Sequence, residues 1–387
     1  MEPVDEIKYE LDWSGQRPDV EFEDSGSRIT VPFDPERIDV VTRNPTVALL
    51  LSRVKRGQLD LAPDFQRYAG IWNDVNQSKL IESLLLRIPL PTFYAAEGVD
   101  GDDDYWSVVD GIQRLTAISR FMIPDAVALE PLRLKGLGYL GQLNGLRFDE
   151  LPNRLKTRLE ETEVVLHLIR KTTPEEVKFN IFARINTGGM PLSAQELRHA
   201  LIPGRGRELL AQLAEAPSFL NATSRSVGTS RMADREMVLR FIAFYLSDPS
   251  EYRSQDFDGF LRDAMRVVNG LPESRVEQVR DAFSAAMVAA RSIFDKHAFR
   301  KQKSGTDWRH PINKALFETV AVNLATRSPE QVEELVRRRA EVNQAMIELM
   351  ADPDFDRAVS VSTGDVAKVR LRFARVDDVL SEFEGIA

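Results

Sequence analysis

The chain has 387 residues, no cysteine and a net charge of −9. That length buries a core easily and favours two domains, while the missing cysteines exclude disulfides and thiolate metal sites. The negative charge argues against coating nucleic acid with the whole surface and leaves room for a local basic face. The acidic start Met1-Glu-Pro-Val-Asp-Glu6 lacks a signal-peptide core, and no apolar stretch is long enough to span a membrane. The expectation is therefore a cytoplasmic protein without a membrane partner.

Residues 1–35 read as a polar lead-in. A strand is expected at Ile38–Val41, then a helix from Asn44-Pro45 (N-cap and first helical position) to Arg56, stopped by Gly57. Leu59–Leu61 is a short strand. Val75–Arg87 is a helix with Leu80, Ile81, Leu84 and Leu85 on one face, and Lys79 and Ser83 one turn apart on another. Strands at Thr92–Ala95 and Tyr105–Val109 flank the acidic stretch Glu97–Asp104, which reads as a solvated hairpin loop because it lacks a calcium hand's length and closing Glu.

At Asp110-Gly111-Ile112-Gln113-Arg114 the hydrophobic period changes from two to 3.6, so a strand turns at Gly111 into a helix. Such a turn gathers backbone N–H groups and the positive end of the helix dipole, which suits phosphate. Asp110 supplies a carboxylate for a metal or for a helix cap. Gln113 supplies an amide for a water, and Arg114 a fork for phosphate.

Downstream, Leu151–Glu161 and Pro174–Ile185 read as helices around a strand at Glu163–Ile169. Asn186-Thr-Gly-Gly189 ends the second helix. Ser193 and Glu196 form a capping box for the next. Beyond Pro203-Gly-Arg-Gly206 the pattern is helical, at Arg207–Ala214, Asp234–Leu246, Glu273–Phe294, Ile312–Ala325, Pro329–Met350 and Arg375–Phe383. The expected class is α+β, with a mixed-sheet domain at 36–203 and an α-helical domain at 204–387.

Several motifs stand in order: Phe65-Gln66-Arg67, Trp72, Leu80-Ile-Glu-Ser83, Pro89-Leu-Pro91, Asp110–Arg114, Arg184-Ile-Asn186 with Gly188-Gly189, and Leu192-Ser-Ala-Gln-Glu196. This series resembles the domain of unknown function 262, the N-terminal domain of GmrSD-type modification-dependent restriction enzymes, over about residues 36–201. Ile112 departs from the glutamine usual there; Asp110, Gly111, Gln113 and Arg114 match.

The resemblance implies a ParB/sulfiredoxin-like fold and a nucleoside triphosphate site at Asp110–Arg114, used with Mg2+ in restriction-modification or antiviral defence. Arg114 would clamp phosphate, Asp110 would hold the metal or act as base, and Gln113 would orient the water. Gln66 and Arg67 would close the site. Arg184 and Asn186 would approach the nucleotide, or Asn186 would only end its helix. Tyr68 and Trp72 would stack on a base or fill the core.

Larger members carry an HNH nuclease domain. Here His310-Pro-Ile-Asn313 lacks the paired histidine and the later ligand, so a nuclease is expected from a partner chain. The alternatives are a DNA-nicking nuclease using the same loop and a non-catalytic nucleotide sensor. Lys296, Arg300, Lys301 and Lys303 form the clearest basic cluster, either a solvated helix end or a contact for DNA phosphates. Arg337–Arg339 is balanced by Glu333, Glu334 and Glu341. A homo-oligomer is the remaining partner class.

Overall fold

The computed structural model describes residues 20–21, 35–61, 72–100, 103–185, 192–254, 256–303 and 308–385. Two compact units divide the chain, one over Val31–Leu201 and the other over Ile202–Ala387 together with Met1–Thr30.

The first unit is built on a mixed sheet. Its described strands are β1 (Val40–Arg43), β2 (Leu59–Asp60), β3 (Phe93–Asp100), β4 (Asp103–Asp110) and β5 (Leu166–Ile169), in the order β1-β5-β3-β4-β2. The β1–β5 and β3–β4 pairs are antiparallel, and the β3–β5 and β2–β4 pairs are parallel. The helices are α1 (Val47–Lys55), α2 (Asp74–Leu85), α3 (Ile112–Met122), α4 (Asn153–Glu161), α5 (Glu175–Ile185) and α6 (Ala194–Leu201). With the helical second unit, this is the expected α+β class.

Local differences have local causes. Thr46, not Asn44, caps α1 by accepting the Leu49 N–H, because Pro45 is used elsewhere: its carbonyl takes the Val164 N–H. The expected acidic loop is mostly strand, since β3 and β4 pair as far as Asp100 and Asp103. Gly98 makes that pairing possible: a Cβ there would meet the ring of its cross-strand partner Tyr105 at 2.6 Å. The capping box on α6 forms as expected, Ser193 Oγ accepting the Glu196 N–H while Glu196 accepts the Ser193 N–H. On α2, Leu80, Ile81, Leu84 and Leu85 are all buried.

The second unit contains α7 (Arg205–Ala214), α8 (Pro217–Ala222), α9 (Ala233–Leu246), α10 (Phe257–Gly270), α11 (Glu273–Phe294), α12 (Lys314–Ala325), α13 (Pro329–Arg337), α14 (Arg339–Ala351), α15 (Pro353–Ser360) and α16 (Val366–Ser381). The helices α9 and α12 are buried almost all round, so they form its centre. Phe241, Phe283, Phe219 and Phe317 join them in edge-to-face and tilted pairs 5.0–5.9 Å apart.

The single helix expected over 329–350 is two, broken at Arg338 (φ −96, ψ 19) with no Gly or Pro to mark it. The last helix starts nine residues earlier than expected, where Asp365 caps it through the Ala367 and Lys368 N–H groups.

Asp234 is buried at the start of α9, and burial raises its pKa from 3.8 to about 6, against the pull of the Arg235 N–H. The folded state holds this proton better than the unfolded one. The resulting stability is present below pH 3.8 and is lost as pH rises through about 6. Asp234→Asn keeps the acceptor oxygen and removes the charge. It is expected to raise stability at pH 7–8 by about 1–3 kcal/mol and to flatten the pH 4–6 slope of this contribution. Urea unfolding at pH 4.5 and 7.5 checks this; an equal effect at both values would count against it.

Candidate functional site

The last residue of β4 is Asp110, which pairs with Tyr94 of β3 beside a register slip at Tyr94/Ala95. Gly111 follows in a left-handed conformation (φ 94, ψ 8) and is the N-cap of α3, with no side chain capping the helix. The first-turn amides of α3 have no intrahelical carbonyl to meet. The strand–turn–helix expected from the sequence is therefore present, and it places N–H groups at the strand's end.

Arg114 points back under the turn rather than out from it. Only 8% of the residue is exposed. Its Nη1 donates to the Pro91 carbonyl, and its Nη2 to the Thr92 carbonyl at 3.2 Å and to Asp110 Oδ2 at 2.9 Å. The guanidinium also lies 4.6 Å above the Phe93 ring. Burial pushes its pKa down and Asp110 pushes it back up. The fork thus ties the strand entry at Pro91–Phe93 to the turn.

Gly111 is required by the same packing. A Cβ there would sit 2.4 Å from Phe93 Cδ1 and 3.2 Å from Arg114 Nη2.

Asp110 does not cap α3. Its carboxylate is 37% exposed and leans on Arg114 through one oxygen. Gln113 is half-buried, and its Oε1 accepts the Trp72 N–H at 3.4 Å. The Trp72 carbonyl in turn accepts from Gln77 Nε2 of α2. So the turn joins Asp110, Gly111, Gln113, Arg114 and the Trp72 backbone in one place. Gln66, Arg67, Tyr68 and Asn186 lie outside the described residues. Arg184 lies in the last turn of α5.

Other motif residues serve the fold. Glu82 is 5% exposed and accepts the N–H groups of Gly138, Tyr139 and Leu140 at 3.1, 2.7 and 2.7 Å. Burial alone would raise its pKa; the three N–H bonds reverse that and hold it below the ordinary glutamate value. Gln195 is fully buried and accepts from Arg198 Nε at 2.9 Å. Ser83 donates to the Lys79 carbonyl, so that pair is helix backbone chemistry.

In the helical unit the basic cluster divides. Arg300 is 1% exposed and spends its guanidinium on the His310 and Thr223 carbonyls and Ser226 Oγ. Lys301 pairs with Glu21 at 3.2 Å and Asp356 at 3.1 Å. Both hold the fold; Lys296 is half-buried and Lys303 is exposed. Arg337 and Arg338 pair with Glu334 and Glu341, as their spacing implies. Among the described residues no group of three His, Asp or Glu is arranged to hold a metal, and no helix is long and apolar enough to cross a membrane.

The turn, its buried arginine and the Ser193–Glu196 box fall within one segment that matches a known family. Residues 47–203 match the model described as GmrSD restriction endonuclease, N-terminal domain. That segment is similar to a GmrSD-type N-terminal domain. No curated protein matches the chain.

The carbonyls of Pro91 and Thr92 and the face of Phe93 are the parts of this site that motif reading missed. Pro89 and Pro91 were the available signal, because proline keeps a segment extended with its carbonyls turned outward to be used.

Proposed function

We propose that the GmrSD-type domain binds a nucleoside triphosphate at the Asp110–Arg114 turn and hydrolyses it in a restriction or phage-defence system, with any nuclease supplied by a partner chain. The observation that carries this reading is the uncapped N-terminus of α3 behind a left-handed Gly111, braced from below by Arg114. The family match supports the restriction setting.

In this reading the first-turn N–H groups of α3 receive phosphate. Arg114 acts mainly by holding the turn in shape and by placing positive charge behind it. Asp110 reaches solvent beside the turn, and one carboxylate plus the phosphates of the substrate is a set that suits magnesium. The ion would neutralise charge on the phosphates. Gln113, half-exposed on the first turn, orients the attacking water.

Calorimetry with the four ribonucleoside triphosphates and magnesium is expected to show saturable, micromolar binding of at least one. Gln113→Ala is expected to retain that binding and to lower magnesium-dependent phosphate release about a hundredfold or more. No saturation with any of the four would sink the proposal. Equal turnover in wild type and Gln113→Ala would assign the activity to a contaminant, and binding without turnover would leave a nucleotide sensor.

The purified chain alone is expected not to cut supercoiled plasmid with magnesium or manganese, with or without nucleotide. A self-sufficient nuclease needs a DNA-tracking surface, and two of the four cluster residues, Arg300 and Lys301, are committed to internal bonds. Nicking that disappears in Asp110→Ala would instead establish the loop as a nuclease site.

A further inference from the structure

On the sheet, away from the Asp110 turn, a cleft of about 430 Å³ opens between the middle of β3 and β4 and the start of α5. That volume lies within the range of small-molecule sites, about 300–1,000 Å³. Ser107, on its floor, is 4% exposed, and among the described residues its Oγ has no hydrogen-bond partner. A buried hydroxyl left unbonded is costly, so one in the lining of a cleft points to something that bonds it there.

The walls are polar and cationic. Lys178, Lys171 and Arg37 line the cleft against the carboxylates Glu97 and Glu175. Glu97 is already engaged, by the Lys171 N–H at 3.3 Å and by Arg170 at 3.8 Å. Lys178 Nζ donates to the Glu97 carbonyl at 3.1 Å, which uses one of an ammonium's three donors. Burial pushes the Lys178 pKa down, with Glu175 and Glu97 pushing it back only in part. An anion in the cleft relieves that. The first turn of α5 adds the positive end of an 11-residue helix, and Tyr105 adds an aromatic surface beside Ser107.

We propose that this cleft is a second ligand site, separate from the Asp110 turn, which takes a phosphomonoester of about mononucleotide size, with Ser107 Oγ and Lys178 Nζ on the phosphate and Tyr105 against the remainder. It lies wholly within the first unit, so it needs no partner chain.

The test titrates the full chain with inorganic phosphate and with each of the four ribonucleoside monophosphates, by calorimetry and by ³¹P line broadening. At least one monophosphate is expected to saturate. Lys178→Met keeps the aliphatic stem and is expected to weaken it at least tenfold. Ser107→Ala is expected to weaken it several-fold while leaving the melting temperature unchanged or raised, because it removes an unbonded hydroxyl. The proposal fails if no probe saturates, or if Ser107→Ala binds as wild type does. It also fails if Lys178→Met binds as wild type does, because the ligand then sits elsewhere. Phosphate binding as tightly as every monophosphate would overturn the assigned size.

Discussion

Glu318→Ala is expected to cost about 3–5 kcal/mol and to leave little folded helical unit at 37 °C. Glu318 is fully buried on α12. It holds Arg372 Nη2 on one side and Arg240 Nη1, at 3.3 Å, on the other. Arg240 also reaches Glu236 at 2.9 Å, and Lys314 reaches Glu236 at 3.5 Å. Among the described residues, Arg240, Arg372 and Lys314 thus meet Glu318 and Glu236 in one network at the centre of the bundle.

Removing Glu318 leaves Arg240 and Arg372, each no more than 1% exposed, without the negative charge that both of them face. The Thr363 carbonyl accepts from Arg372 at 2.6 Å but neutralises nothing. Total stabilities run from about 5 to 15 kcal/mol, so the loss is a large fraction. Glu318→Gln is expected to fall between, since it keeps an acceptor without the charge. Replacing Glu318, Arg240 and Arg372 together by apolar residues of similar size is expected to recover most of the loss, because an intact buried network and a packed apolar one are close in free energy. Urea unfolding of the three variants decides this; a change below about 1 kcal/mol in Glu318→Ala would mean that the guanidiniums find other partners.

How much of this was legible depends on whether an element is written in side chains or in backbone. The turn at Asp110–Arg114 could be read because a change of hydrophobic period and a glycine mark it. The destination of Arg114 could not be, because its partners include the carbonyls of Pro91 and Thr92, which every residue type carries. Glu82 is a parallel case: its partners are three backbone N–H groups 56 to 58 positions away. The cleft at Ser107 was invisible for a different reason. A serine alternating with Trp106 and Val108 in a strand looks like ordinary sheet, and only the approach of α5 makes it a floor.

In the helical half, α10 was missed although its signal was present. Phe257, Leu261, Ala264, Met265 and Val268 recur at helical spacing behind the N-cap Asp256, and all five are buried. The break at Arg338 carries no such mark.

Gly111→Ala is expected to disable the candidate triphosphate site and to destabilise the first unit by about 2–5 kcal/mol. Two separate costs add. Gly111 has φ +94, where an L side chain is strained by about 1–2 kcal/mol. The new methyl also overlaps Phe93 Cδ1, at 2.4 Å, and overpacking of this kind costs about 1–3 kcal/mol. Relief requires the Phe93 ring to move. That ring carries the Arg114 guanidinium, and Arg114 braces the turn against Pro91, Thr92 and Asp110. The displacement is therefore expected to reach the N–H groups that would receive phosphate. Phe93→Leu separates the two costs: in Gly111→Ala/Phe93→Leu the overlap is reduced and the backbone strain is not. The double variant is expected to regain part of the stability and little of the nucleotide binding, since the seat of Arg114 is gone. Thermal unfolding and triphosphate calorimetry on both variants test this. Full triphosphate binding by Gly111→Ala would show that the turn is not where the nucleotide sits.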